Sequence, residues 1–193
     1  MAMSEPFDPV AGKQRLLQLV RERAYEDGLD IVLASGKRSD FYIDGKKVSL
    51  HPEGLYLIAH LILDQLKSHA EITAIGGLTL GADPIASAVA AQSFVTEQNL
   101  SAFLVRKQAK DHGTGSRIEG DLAAGQKVAI IEDTITTGAS ARQAIDAVRA
   151  VGAIPVMVFA LADREDPEAA AFREEFDLRP LLTLAEIRSK GHE

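Results

Sequence analysis

The sequence predicts an α/β fold: a mainly parallel central sheet flanked by helices, with a small hood at the N-terminal end. Three observations carry the prediction. From Pro52 onward, short apolar runs alternate with amphipathic stretches of helical length, the order that builds parallel sheets. Within that region KVAIIEDTITTGAS, Lys127 to Ser140, turns from apolar to acidic to hydroxyl-rich and then to helical. Before Pro52, apolar and polar residues alternate and are interrupted by Ser35-Gly36 and Asp44-Gly45, the mark of a small antiparallel excursion.

The elements follow in chain order. Leu16, Leu17, Leu19, Val20, Ala24 and Tyr25 recur at helical spacing and predict a first amphipathic helix ending near Gly28. The hood occupies DIVLASGKRSDFYIDGKKVSLHPEG. Leu55, Ile58, Leu61, Ile62 and Leu66 predict the second helix, and ITAIGG a strand. A helix runs from Pro84, whose fixed φ and missing N–H suit a first turn. SAFLVR and KVAII are strands, the unbroken apolar run of the second indicating burial on both faces. ARQAIDAVRAVG is the next helix and IPVMVFALA the next strand. No low-complexity linker or internal repeat interrupts the chain. Residues 1–193 are therefore expected to form one domain, with the hood over about 1–50 and the α/β core over about 52–193.

Composition narrows the function classes. Of 193 residues, 46% are hydrophobic and 25% charged, enough for one proper core. Lys and Arg number 21 against 28 Asp and Glu, and the net charge of −7 speaks against a generic nucleic-acid or anionic-membrane surface. A polyanionic ligand then has to be met by a local cationic cluster. With no cysteine, disulfides, thiolate metal sites and cysteine nucleophiles drop out. No apolar run approaches the about 18 residues of a membrane span, and MAMSEPFDP lacks a basic region followed by an apolar one, so a soluble, cytoplasmic protein is expected. The regular spacing of His51, His60 and His69 fits no single metal site; they read as surface or partly buried helix residues.

Two segments carry chemistry. In the first, Glu132 and Asp133 stand at the carboxyl end of a buried strand, where open α/β sheets bind ligands. Thr134, Thr136, Thr137, Gly138 and Ser140 add hydroxyls and flexible backbone before a helix N-terminus, whose free N–H groups and partial positive charge can receive a phosphate. The P-loop pattern GxxxxGK[ST] is absent. A ribose 5-phosphate suits the segment better than a nucleoside triphosphate, because the carboxylates can accept from vicinal hydroxyls while the loop grips the phosphate. The plainer alternative is an acidic strand end followed by a helix capped through Thr or Ser. The second segment, RKQAKDHGTGSRIEG, gathers Arg106, Lys107, Lys110, His112 and Arg117 into twelve positions of an acidic chain. Such a loop suits covering a diphosphate, neutralising its charge and excluding water. Its plainer alternative is a solvated hairpin with incidental charge.

KVAIIEDTITTGAS resembles the phosphoribosyl diphosphate motif of type I phosphoribosyltransferases, and RKQAKDHGTG resembles the mobile catalytic loop of the orotate branch of that family. LASGKRSDFYID is similar to the family's hood segment and GGLTLGADPIA to the loop after its first core strand. With Arg164 in ALADRED, the matches run in order from residue 30 to residue 165. The resemblance implies a type I phosphoribosyltransferase fold and an enzyme that moves the 5-phosphoribosyl group from phosphoribosyl diphosphate to N1 of orotate. The products would be orotidine 5′-monophosphate and diphosphate, in de novo pyrimidine (UMP) biosynthesis.

The resemblance also implies roles. Phosphoribosyl diphosphate would be bound by Arg106, Lys107, Lys110 and His112 and by Glu132, Asp133, Thr134, Ile135, Thr136, Thr137, Gly138, Ala139 and Ser140, the two acids meeting the ribose hydroxyls. Lys107, Lys110, His112 and Asp133 would be catalytic. Thr136 and Arg164 would contact orotate, a guanidinium suiting a planar carboxylate. Mg²⁺ would be carried by the diphosphate, without a protein metal cage. The partners would be the two substrates and a second copy of the chain, Lys107 reaching into the neighbouring subunit, with no nucleic acid and no membrane. Two positions depart from the family pattern: Ala34 stands where many members have lysine, with Lys37 or Arg38 nearby, and Leu80-Gly81 where many have Tyr-Lys. The second change implies diphosphate contacts through backbone amides. The competing readings are a transferase for another base and a regulatory nucleotide- or RNA-binding module on the same fold. The first leaves Arg164 and the cationic loop without a purpose, and the second would call for a net basic face.

Overall fold

The computed structural model describes residues 6–32, 38–108 and 116–189. Helix α1 (Pro9–Arg23) begins at Asp8, whose side chain accepts from the N–H groups of Val10 and Ala11, with Pro9 at the first position. It stops at Arg23, earlier than the expected end near Gly28. Beyond Ala24 the residues Glu26, Asp27 and Gly28 are exposed, so a longer helix would have no apolar face to bury. The chain instead enters β1 (Tyr25–Val32), which pairs antiparallel with β2 (Arg38–Ile43). Gly28 lies in β1 at φ +70°, where the register shifts between Asp27 and Ile31. These two strands are the hood. A single turn, α2 (Lys46–Ser49), leads from it to α3 (Pro52–Leu66).

The core sheet has six strands in the order β5-β4-β3-β6-β7-β8: β3 (Ile72–Leu78), β4 (Ser101–Val105), β5 (Ile118–Glu119), β6 (Lys127–Ile135), β7 (Ile154–Asp163) and β8 (Leu178–Thr183). Every neighbouring pair is parallel except β4 with β5. The expected α/β fold with a mainly parallel sheet is what forms. Helix α4 (Ala82–Val95) starts two positions before Pro84, which still falls in the first turn. Helix α5 (Ala139–Ala150) follows β6.

Helices cover both faces of the sheet. One apolar cluster joins α1, α3 and α4 to the sheet, and the other joins α5 and Phe172 of α6 (Ala170–Glu175). Strand alternation sends Ala129 and Ile131 into the first cluster and Val128 and Ile130 into the second, which is why this run is apolar without a break. Among the elements that went unread in the sequence are α2, β5, α6, β8 and α7 (Leu184–Arg188). β5 and α7 are too short to show periodicity, and β8 is an edge strand that carries Arg179 and tolerates Pro180. Among the described residues no helix is long and apolar enough to cross a membrane.

Candidate active site

The site begins where two strands part. β3 stays paired with β6 only as far as Gly77 opposite Ile131, whereas β7 follows it to Asp163 opposite Ile135. From Glu132 onward β6 has a neighbour on one side only, and a cleft opens on the other. Glu132 and Asp133 therefore lie within a longer strand than KVAII predicted, the pairing with β7 extending it to Ile135.

Both acids are buried, 7% and 8% exposed. Burial, reinforced by the hydrogen bond and charge of Asp133, pushes the Glu132 carboxyl up to about 9. Its Oε2 is buried and has no hydrogen-bond partner among the described residues. Asp133 is better met. Its Oδ1 accepts from the Thr134 N–H at 2.9 Å and its Oδ2 from Lys46 Nζ at 3.2 Å. The charge of Asp133 in turn raises the Lys46 ammonium above the usual lysine value. Nothing in the sequence reading selected Lys46. Glycines form two walls of this site: a Cβ on Gly81 would lie 2.7 Å from Asp133 Oδ1, and one on Gly45 3.1 Å from Thr134 Oγ1.

Just beyond, Glu132, Thr134, Ile135, Thr136, Thr137, Gly138, Ala139 and Ser140 line a cavity of about 100 Å³ at the start of α5. Gly138 is the N-cap, with φ +79°, and a Cβ there would stand 2.5 Å from Phe172 Cγ, so both backbone and packing demand glycine. The N-cap position itself has no side chain, and Thr137 Oγ1 accepts from the Ala139 N–H at 3.3 Å, one Thr contact of the kind the capped-helix alternative foresaw.

A larger cavity, about 720 Å³, lies between the hood and the end of β7 and includes Ser39, Phe41 and Arg164 in its lining. Arg164 is 6% exposed. Its guanidinium lies 4.3 Å from the Phe41 ring centroid, and Nη2 donates to Ser39 Oγ at 3.1 Å. The Arg164 N–H donates to the Ile135 carbonyl at 3.0 Å, which ties the residue to the end of β6. Nε is buried without a partner among the described residues. The adjacent Asp163 does not compete for Arg164, because Arg173 holds both its oxygens at 2.8 and 2.9 Å. Thr136 faces the smaller cavity and is absent from the lining of this one. Arg38 pairs with Asp30 at 3.0 Å in the wall of the larger cavity.

The base of the cationic segment is a hairpin between β4 and β5. The Arg106 N–H donates to the Arg117 carbonyl at 2.8 Å, and Arg117 Nε returns a bond to the Arg106 carbonyl at 2.9 Å. Arg106 pairs with Glu119 at 3.1 Å, and exposed Lys107 joins it and Thr79 around a further cavity of about 530 Å³. Lys110 and His112 lie outside the described residues, as do Ala34 and Lys37. The three spaced histidines are dispersed: His51 precedes α3, the His60 ring lies 4.6 Å from that of Phe7 and 4.3 Å from that of Tyr56, and His69 contacts Glu71 and Arg179.

A doubly covered parallel sheet whose strand β6 outruns its neighbour into an acid, hydroxyl and glycine segment, beneath a two-stranded hood, places the chain among the type I phosphoribosyltransferases. No family model matches it. An orotate phosphoribosyltransferase from Nostoc sp. is 43% identical over 162 residues, which are 83% of this chain and 77% of that protein. The crystal structure of Mycobacterium tuberculosis H37Rv orotate phosphoribosyltransferase in complex with Fe(III) dicitrate matches with a TM-score of 0.77 and 37% identity, over 92% of this chain and 99% of that one. The same enzyme in complex with 5-phospho-α-D-ribosyl 1-diphosphate matches with a TM-score of 0.72 and 34% identity, over 91% and 98%. The chain belongs to the orotate phosphoribosyltransferase family.

Proposed function

We infer that the chain transfers the 5-phosphoribosyl group of phosphoribosyl diphosphate to N1 of orotate, giving orotidine 5′-monophosphate and diphosphate on the route to UMP. The observation that carries the choice of base is Arg164, a buried guanidinium with an unpartnered Nε, laid against Phe41 in a cavity beside the acidic strand end. Orotate brings a planar carboxylate to such a group; a purine or uracil brings none. Relatives that share 43% and 37% of their aligned residues with this chain carry that activity in their names, which supports the same reading.

In the reaction the bond from C1 to the diphosphate oxygen breaks ahead of the new bond from N1, so positive charge develops on the ribosyl ring. Glu132 and Asp133 bind the ribose hydroxyls and lie close to that charge. Thr134, Ile135, Thr136, Thr137, Gly138, Ala139 and Ser140 cradle the 5-phosphate through hydroxyls, backbone and the start of α5. Arg106, Lys107, Lys110 and His112 bind the leaving diphosphate, Lys110 or His112 gives it a proton, and the proton that N1 loses passes to solvent. Arg164 contacts orotate, whereas Thr136, expected to share that role, lines the smaller cavity and is kept with the 5-phosphate. Mg²⁺ would be carried by the diphosphate rather than by a protein cage, with the Asp133 carboxylate as a nearby hard oxygen donor. When bound, the ion neutralises charge on the departing diphosphate.

Residues 1–193 act as one catalytic domain, and two copies form a homodimer in which Lys107 serves the neighbouring site. A cytoplasmic location accords with the cysteine-free composition. The activity is tested by the fall in orotate absorbance on mixing with phosphoribosyl diphosphate and Mg²⁺, with uracil, adenine and hypoxanthine in parallel. Magnesium-dependent turnover of orotate alone is expected; turnover of another base overturns the specificity, and turnover of none favours the regulatory binding module.

A further inference from the structure

We propose that Lys46 is a positioning residue for the transfer reaction, reaching from the hood side of the cleft to hold Asp133 in the orientation that receives the ribose diol. The inference rests on the assignment of Glu132 and Asp133 to the ribose. Lys46 Nζ lies 3.2 Å from Asp133 Oδ2 and 3.9 Å from Asp44 Oδ1. The other Asp133 oxygen is taken by the Thr134 N–H, so both ends of the carboxylate are fixed. Gly81 sits close enough to Asp133 Oδ1 to bar any side chain from the remaining space.

The two partners differ in a useful way. The Asp133 side chain is 12% exposed and that of Lys46 53%. The carboxylate is therefore held in a low-dielectric wall, while the ammonium keeps part of its hydration and can yield one donor position to an incoming hydroxyl without leaving the site. Lys46 supplies a positive charge beside the Asp133 carboxylate before any substrate arrives. Its backbone is set by the turn at the end of β2, the Lys46 N–H donating to Asp44 Oδ1 at 3.2 Å. The hood that forms the base cavity is thereby coupled to the sugar site through one side chain.

Two probes separate positioning from simple anion binding. Ribose 5-phosphate presents the diol without the diphosphate, and Mg²⁺-diphosphate presents the reverse. Calorimetric titration of the wild type, Lys46→Met and Lys46→Arg with each probe, together with steady-state turnover of orotate, tests the assignment. Lys46→Met is expected to weaken ribose 5-phosphate about tenfold and raise KM for phosphoribosyl diphosphate by a similar factor, the loss of one charge-assisted contact. Mg²⁺-diphosphate affinity should stay within about twofold and Lys46→Arg should recover most of the loss. Lys46→Gln serves as a second neutral variant if methionine perturbs the fold. Unchanged ribose 5-phosphate affinity, an equal loss for diphosphate, or failure of arginine to restore binding each overturns the role of Lys46. A wild type that neither binds ribose 5-phosphate nor turns over orotate overturns the function itself, and the Lys46 role with it.

Discussion

Glu132 and Asp133 are chemically similar neighbours, yet the fold treats them differently. Asp133 has an N–H and an ammonium, while Glu132 keeps a buried oxygen with no partner among the described residues and holds its proton up to about 9. The sign of the consequence follows from linkage. A carboxyl with a raised folded value retains its proton where the unfolded chain has lost it, so its contribution to stability is full below the ordinary 4.5 and is lost as pH climbs toward about 9. Glu132→Gln should remove that loss. Its melting temperature should equal the wild type's near about pH 4 and exceed it by several degrees near about pH 9, about 2–4 °C for each kcal/mol in a domain of this size, while turnover falls. Thermal unfolding of both proteins across that range checks it, and a difference that does not vary with pH counts against a buried protonated Glu132. Gly81 gives a second prediction at this scale. Its added Cβ would meet Asp133 Oδ1 at 2.7 Å, so Gly81→Ala should displace the carboxylate and lower kcat/KM by about 10²-fold, the cost of a misplacement near 1 Å. Wild-type kinetics in that variant would mean that Asp133 has room to move.

Among the elements, the hood depends on the shortest helix of the C-terminal end. Helix α7 is fixed by a capping box between Thr183 and Glu186, by Lys13 of α1 at 2.7 Å from Glu186, and by Arg21 Nε on the Ile187 carbonyl at 2.9 Å. It presents Arg188 to the hood, where the guanidinium donates to the Tyr25 hydroxyl and to Asp40 Oδ2, both at 3.0 Å, and lies 4.5 Å from the Phe41 ring centroid. Exposed ion pairs contribute about 0–1 kcal/mol and a cation–π contact about 0.5–1, so Arg188→Ala should loosen the hood by about 1–2 kcal/mol. Orotate KM should rise about fivefold with kcat less affected, since hood residues line the cavity proposed for the base. Faster amide exchange in β1 and β2 is the structural readout; unaltered exchange would remove α7 from this role.

For the molecule as a whole, a net charge of −7 makes the cations clustered between Arg106 and Arg117 a local exception, with Lys107 exposed near the start of that segment. The proposed homodimer, in which Lys107 would act across the interface, makes a quantitative prediction. Lys107→Ala and Asp133→Asn should each be nearly inactive alone. After subunits are exchanged at random, half of the dimers are hybrids with one intact site of two, so the mixture should regain about one quarter of wild-type activity. If Lys107 serves its own subunit, every hybrid site carries a defect and mixing restores nothing.

The strand and helix alternation, the acid-to-hydroxyl segment and the cationic cluster were readable because each is a property of consecutive residues. Burial on both faces of β6 showed as an unbroken apolar run, and the N-terminal excursion as alternation between turn residues. The partners of those residues were not readable in the same way. Lys46 meets Asp133 across 87 positions, Arg164 meets Ser39 across 125, and Arg188 meets Asp40 across 148. By itself the sequence determined the fold class, the hydroxyl and glycine loop before α5 and the acids beside it, because propensity, periodicity and adjacency are local. The tertiary structure alone decided that β6 would outrun β3, that one acid would gain a lysine while the other kept a proton, and that Arg164 would lie against Phe41. Those outcomes depend on strand register, chain reversal and shared burial, which arise only when distant segments pack.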